Sequence, residues 1–150
     1  NSRDNARTPM QWTANPPHAG FTSGVPWIDV NPNYRAVNVA SAVGDQHSIW
    51  AHYRRLIGLR KRLPIIVYGA YQAFFEDDAQ FVVYTRRWRG ERLIVIANFL
   101  ARPGRLLLPM ELAGPGEMLI TNAAPRQGLE AELALAPYEA FAVLAPDPQP

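Results

Sequence analysis

From residue 65 onward, turn residues divide the sequence into short segments that are either apolar or alternate between apolar and polar residues. This pattern constrains the fold more than any other feature. Short segments of this kind, bounded by Gly, Pro, Asn or Asp, predict β-strands. We predict strands over residues 65–68, 71–76, 81–88, 92–99, 105–110, 117–122 and 138–145. Strands with this spacing are typical of an antiparallel sandwich. The sequence therefore predicts a mainly β fold for this half of the chain.

The connections between these strands carry turn residues. We predict that Arg89-Gly90 and Pro103-Gly104 form tight hairpin turns and that residues 113–116 form another. The adjacent carboxylates of Asp77 and Asp78 would point apart, so we interpret them as turn formers rather than as an acid–base pair.

One long helix is predicted over residues 46–63. Apolar side chains recur there at helical spacing, Asp45 is a plausible N-cap, and a basic cluster at residues 60–62 lies where cations favour the helix C-terminus. Pro64 is expected to end the helix. His47 and His52 have no Cys or carboxylate at metal-ligand spacing, so we predict no metal site and no cofactor.

Residues 1–45 are rich in proline and glycine, and we expect little regular structure in them. A segment of this length without secondary structure is usually functional or disordered. Its aromatic residues, Trp12, Phe21, Trp27 and Tyr34, argue against disorder. We interpret them as anchors that pack against a scaffold outside this sequence, rather than as rings that stack on a ligand.

The opening run has the character of a binding site. Arg3, Asp4, Asn5 and Arg7 place two guanidinium groups, a carboxylate and a carboxamide within five residues. Such a set offers many hydrogen bonds to a polyhydroxyl ligand. On composition alone, a surface loop with internal salt bridges remains the alternative.

Composition and hydropathy limit the expected binding partners and the expected cellular location. The net charge is only +2 and the arginines are dispersed, so nucleic acid is not an expected partner. No apolar run approaches a membrane span and no signal-peptide pattern is visible, so we expect no membrane partner and a cytoplasmic location. The absence of cysteine is compatible with that. The sequence opens at Asn1 inside a dense motif, and we expect it to belong to a longer protein.

Several segments closely resemble the α-glucosidase branch of the α-amylase family, glycoside hydrolase family 13, which includes the oligo-1,6-glucosidases. The resemblance is carried by SRDNARTPMQW, HAGFT, PWI, VNPNY and VNV, by YRRLIGLRK in the helix and YGAY after it, and by IVIANF and PYEA in the β half. It is strong over about residues 2–100 and weak beyond them.

The resemblance implies the end of a (β/α)8 barrel followed by an antiparallel C-terminal β-sandwich domain. Residues 1–64 would be the last βα loop and the eighth helix of the barrel, residues 65–146 the β domain and residues 147–150 a loose tail. The family's three catalytic carboxylates would then lie upstream of Asn1, so no catalytic residue is expected in this chain, which should be inactive alone.

The resemblance also implies roles for the opening motif. Arg7 corresponds to an arginine that hydrogen-bonds the glucose of an oligosaccharide substrate in the innermost subsite. Arg3, Asp4 and Asn5 would shape and brace the loop rather than touch the sugar. The implied partners are an oligosaccharide substrate and the missing upstream barrel.

Two alternatives stay open. The β half could be a free-standing carbohydrate-binding or interaction module, with Trp88 as a stacking platform. The parent could instead be a sucrose isomerase, a trehalose synthase or a trehalose-6-phosphate hydrolase from the same family. The upstream sequence would distinguish these alternatives.

Overall fold

The structure is a computed structural model and describes residues 6–147 of the 150-residue chain. Two compact units are distinguished, Asn1–Arg55 and Leu56–Pro150. Within the described residues, no helix is both long and apolar enough to cross a bilayer. The division of the sequence into residues 1–64, 65–146 and 147–150 stays a prediction.

The segment of residues 6–45 has little regular structure, as predicted. It contains a 3-10 turn over Pro32–Arg35 and a short helix, α1, over Val39–Gly44. Asparagine side chains begin both: Asn31 accepts a hydrogen bond from the Asn33 N–H, and Asn38 accepts one from the Ser41 N–H. Asparagine suits these positions because its carboxamide oxygen satisfies an N–H group that has no partner inside the helix.

The long helix, α2, spans Ile49–Arg62 and is shorter than predicted. The prediction of Asp45 as its N-cap was wrong. Asp45 follows α1, and its carboxylate accepts from the His47 N–H at 2.8 Å. Ser48 caps α2 instead, since its Oγ accepts from the Ala51 N–H at 3.1 Å. Arg60, Lys61 and Arg62 lie in the last turn, and Pro64 follows the helix, as predicted.

The strand predicted over residues 65–68 is a helical turn, α3, over Ile65–Tyr68. Pro64, with φ −56° and ψ −29°, already has helical geometry, and its carbonyl accepts from the Val67 and Tyr68 N–H groups. Arg86 then fixes the turn, because its guanidinium donates to the carbonyls of Ile65 and Val67. The β-branched run predicted a strand, but these tertiary hydrogen bonds and the burial of Ile65 favour the turn.

Five strands form one antiparallel sheet in the order β1-β2-β3-β7-β5. The strands are β1 Ala70–Phe74, β2 Phe81–Trp88, β3 Glu91–Asn98, β5 Glu117–Thr121 and β7 Ala140–Pro146. The β2–β3 hairpin turns at Arg89-Gly90, as predicted, with φ of 50° and 81°. Two consecutive positive φ values match the twist of the paired strands, and glycine adopts such a value without strain.

A second sheet pairs β4, Gly104–Leu107, with β6, Glu132–Leu135. The hairpin predicted at Pro103-Gly104 was therefore wrong, because β4 pairs with β6 and not with β3. The turn at residues 113–116 does not join paired neighbours either, since Gly114 bridges to Leu129. Strand β6 was missed because its Glu, Leu and Ala residues are not typical of strands.

The two sheets share one apolar core. The antiparallel strands and the helix α2 confirm the predicted mainly β fold with one long helix. Alternate residues of β2, β3 and β7 face leucines of β4 and β6. The largest fully buried side chains in this core are Val83, Ile94, Ile96, Leu112, Leu133, Leu135 and Val143. Apolar burial of this kind is the main stabilising term of a sandwich.

Glu139, which directly precedes β7, is the buried member of an ion pair with Arg126. It is 5% exposed. Its Oε1 accepts from Arg126 Nη2 at 2.6 Å and from Nε at 3.0 Å, and its Oε2 accepts from the Ala136 N–H at 2.8 Å. Arg126 also donates to the Ala134 carbonyl. One carboxylate thus fixes the turn between β6 and β7 and the segment that carries Arg126.

Candidate functional site

The opening segment presents Arg7 at the surface and holds Pro9 in a buried position. Arg3, Asp4 and Asn5 lie outside the described residues, so their predicted bracing role stays a prediction. The role of Arg7 as a substrate contact is likewise untested by the structure, which shows only that its side chain is exposed.

Backbone hydrogen bonds fix the segment that follows Arg7. The Ala19 carbonyl accepts from the N–H groups of Trp12 and Thr13, both at 2.9 Å. The carbonyls of Gln11 and Trp12 accept from the N–H groups of Val39 and Ala40, at 2.8 and 3.0 Å. Because the first N–H groups of a helix have no partner within it, α1 is well suited to hold the backbone of Gln11 and Trp12.

The side chain of Gln11 adds a second connection. Its Nε2 donates to Asn33 Oδ1 at 2.8 Å and to the Val37 carbonyl at 2.6 Å. Asn38, which is buried, donates to the Tyr34 carbonyl at 2.9 Å. Gln11 and Trp12 therefore form one hydrogen-bonded structure with residues 31–40 in the first unit.

Sequence reasoning missed the roles of Gln11 and Asn38. Both residues lie within segments that carry the family resemblance. The hydrogen-bond partners of Gln11 are 22 and 26 residues away in sequence, and a carboxamide in a loop does not indicate so distant a partner. The asparagines of residues 31–38 were the available signal, since asparagine in such a run often caps a turn or helix.

Three of the four aromatic residues predicted as anchors are exposed. Trp27 is 86% exposed, and Trp12 and Phe21 are also exposed. Large exposed aromatic surface is uncommon in a single folded protein and marks a surface that binds something else. Three of the four predicted anchors are thus exposed, and their packing against a scaffold outside this sequence stays a prediction.

Asp78 is a turn former, as predicted. Its Oδ1 accepts from the Gln80 N–H at 2.7 Å and the Phe81 N–H at 2.9 Å, just before β2 begins. These backbone donors, that of Phe81 first, lower the pKa of the Asp78 carboxyl below its usual value. A carboxylate that is committed to two backbone donors is poorly suited to acid–base catalysis.

The pKa of Asp78 gives a prediction for stability against pH. Since the folded-state pKa is depressed, the stabilising effect is present above the unfolded pKa of about 3.9 and is lost as pH falls through the lower folded value. We expect Asp78→Asn to weaken the dependence of the free energy of unfolding on pH between about pH 5 and pH 2. Urea unfolding of the unmodified chain and of the Asp78→Asn variant across this range measures the difference. Asp77→Asn is the control, and an equal flattening by both substitutions would contradict the assignment.

No metal centre is evident in the part of the chain that the structure describes, since no three His, Asp or Glu side chains converge there. The prediction of no metal and no cofactor is not tested by this observation.

Comparison with known proteins identifies the family. The profile "Alpha amylase, catalytic domain" matches residues 1–69. The oligo-1,6-glucosidase of Halalkalibacterium halodurans is 44% identical over 140 residues, which cover 92% of this chain and 25% of the relative. The chain belongs to the α-amylase family. The resemblance of the opening motif and the helix is thereby confirmed.

Solved structures agree with this family. The trehalose-6-phosphate hydrolase of Bacillus licheniformis superposes with a TM-score of 0.85 and 38% identity over 95% of this chain and 26% of its own. The trehalulose synthase of Pseudomonas mesoacidophila gives a TM-score of 0.83 and 40% identity over 95% of this chain and 26% of its own. The chain thus spans about a quarter of the length of the α-amylase family relatives it matches.

Proposed function

We propose that this chain is the closing part of a retaining exo-α-glucosidase that acts on short α-linked gluco-oligosaccharides. In this proposal it supplies Arg7 to the innermost subsite and adds the β domain, while the catalytic carboxylates come from the upstream barrel. The longer protein is called the parent enzyme. The observation that carries the proposal is the 44% identity to an oligo-1,6-glucosidase over nearly the whole chain.

Exposed aromatic surface supports the need for an upstream partner. The rings of Trp12, Phe21 and Trp27 would lose contact with water if the first unit packed against a barrel. Burying a large aromatic side chain contributes about 1.5–3 kcal/mol. The segment that carries Arg7 would then be held from both sides, by the upstream barrel and by residues 31–39 of its own unit.

The chemistry of Arg7 suits an inner sugar subsite. A guanidinium presents a planar fork of donors that matches neighbouring hydroxyl groups or a carboxylate that contacts them. Its position shortly before the braced backbone at Gln11 would limit its movement. Precise placement of a donor is what allows it to stabilise a charged transition state.

Two relatives favour a neighbouring alternative, in which the parent enzyme is a trehalose-6-phosphate hydrolase or a sucrose isomerase. Their identities of 38% and 40% are close to that of the glucosidase, and the region compared is only a quarter of each protein. The free-standing module is less well supported. Trp88, its proposed platform, is half-buried, with Tyr68 at 5.8 Å and the Arg89 guanidinium at 5.3 Å from its ring.

The proposal is tested by recovering the upstream coding sequence and assaying two purified proteins, this chain and the parent enzyme. We expect glucose release by the parent enzyme from an α-1,6-linked glucose disaccharide and none by the chain alone, because retaining hydrolysis needs two positioned carboxyl groups.

Further substrates distinguish the alternatives. Conversion of sucrose into an isomer in place of glucose release would assign the isomerase, and preference for trehalose 6-phosphate would assign the phosphorylated substrate. Glucose release by the chain alone would contradict the proposal, as would an upstream sequence that encodes no barrel.

A further inference from the structure

Unpartnered polar groups gather at one end of the sandwich. Among residues 6–147, four buried side-chain atoms lack a hydrogen-bond partner: Thr85 Oγ1, Arg87 Nε, Arg92 Nε and Arg92 Nη1. Thr85 and Arg87 alternate along β2, and Arg92 pairs directly with Arg87 across the β2–β3 ladder. Because alternate residues share a face, all three residues lie on the face that Val83 and Ile94 present to the core. Buried polar groups are normally hydrogen-bonded, so this cluster requires an explanation.

The charge of Arg92 makes the cluster more unusual. Arg92 is 3% exposed, and burial lowers the pKa of its guanidinium. The positive charge of Arg87 also lowers this pKa, whereas Asp147 and Glu111 oppose the effect. An arginine nevertheless stays protonated in a protein, so the guanidinium is a buried cation. Asp147 lies 3.4 Å from Arg87 Nε, in an ion pair with Arg87. A buried cation is stable only when acceptors meet its N–H groups.

A cavity of about 310 Å³ lies beside Arg92. Its walls are mainly apolar side chains, and they include Ile94, Leu112, Leu129 and Val143. Glu111 also lines the cavity. The volume is at the lower end of the range of small-molecule sites, which begins at about 300 Å³. The cavity therefore combines a guanidinium and a carboxylate in its wall with a mainly apolar interior, within the second unit alone.

We propose that this cavity binds a small aliphatic monocarboxylate. Its carboxylate would accept hydrogen bonds from the Arg92 guanidinium, and its chain would lie against Ile94, Leu112 and Val143. Charge-assisted hydrogen bonds of this kind are the strong ones in proteins. A singly charged anion fits better than a doubly charged one, because the Glu111 carboxylate lines the same cavity and would repel the second negative charge. The site is separate from Arg7 and does not depend on the proposed function.

Calorimetric titration of the 150-residue chain with hexanoate tests the proposal. We expect saturable binding of one hexanoate per chain. The alcohol 1-hexanol has the same apolar chain without the charge and should bind at least about tenfold more weakly. Inorganic phosphate, which is largely doubly charged above neutral pH, should also bind more weakly than hexanoate.

Two variants and one control complete the test. Arg92→Gln should weaken hexanoate binding at least about tenfold, whereas Arg105→Gln, at an exposed arginine of β4, should leave it unchanged. Glu111→Gln removes a repelling charge without disturbing the buried cation and should strengthen binding severalfold. If circular dichroism shows that Arg92→Gln does not fold, the affinity of the Glu111→Gln variant for hexanoate decides whether the proposal holds. Equal binding of hexanoate and 1-hexanol, no saturable binding, or no strengthening by Glu111→Gln would overturn the proposal.

Discussion

Replacing Arg7 by alanine in the parent enzyme should lower kcat/KM for an α-1,6-linked glucose disaccharide by about 10- to 150-fold. A hydrogen bond that involves a charged group contributes about 1.5–3 kcal/mol, and this range corresponds to that loss. The effect should fall on kcat/KM because Arg7 is proposed to hold the sugar that reacts. Steady-state kinetics with the released glucose as the signal measures it.

Two further variants make this result specific. Arg7→Lys keeps the charge but loses the planar fork, so we expect only partial recovery relative to alanine. Arg102→Ala is a matched control, since Arg102 is an exposed arginine between β3 and β4. An Arg7→Ala enzyme with unchanged kcat/KM, or an Arg102→Ala enzyme with an equal loss, would contradict a specific role for Arg7.

The sequence predicted best those elements whose signal is local. Strand β2 was predicted with its observed bounds because alternation, β-branched residues and the Arg89-Gly90 turn all agree. The prediction failed where distant contacts decide. Residues 65–68 are a turn because Arg86 binds two of their carbonyls, and β6 forms because β4 lies beside it. Neither partner can be read from the local pattern.

The same limit applies to the candidate site. Arg7 was found because the residues around it resemble a known family, and chemistry alone had left a surface loop as an alternative. Gln11 was not found, because its role depends on Asn33 and Val37. Arg92 was also missed, since its pairing with Arg87 is visible from the hairpin but the cavity that it lines is formed with residues 110–115, which are distant in sequence.

Glu139→Ala should lower the free energy of unfolding of the second unit, called the β unit below, by about 3–5 kcal/mol. The substitution leaves the Arg126 guanidinium, with only 27% of its side chain exposed, without its carboxylate partner. It also removes the acceptor of the Ala136 N–H, which lies in the turn before β7. Urea unfolding followed by far-UV circular dichroism measures the change, and an unchanged slope against urea would show that the unfolding transition itself is the same.

A second Arg–Glu pair in the same unit provides the control. Arg105 and Glu132 are also 2.6 Å apart, but their side chains are 79% and 49% exposed. Since exposed ion pairs contribute about 0–1 kcal/mol, Glu132→Ala should cost no more than that. Equal losses from the two substitutions would mean that burial does not decide the contribution of these pairs.

The double variant Arg126→Met, Glu139→Leu separates the value of the pair from the penalty of an unpaired charge. Replacing a buried ion pair by apolar residues of similar size is often neutral, whereas removing one partner leaves an uncompensated charge. We therefore expect the double variant to be more stable than Glu139→Ala, although it still lacks the hydrogen bond to the Ala136 N–H. If the double variant is as unstable as Glu139→Ala, the loss comes from that backbone hydrogen bond and the turn that it fixes, and Arg126 is not the reason that Glu139 stabilises the β unit.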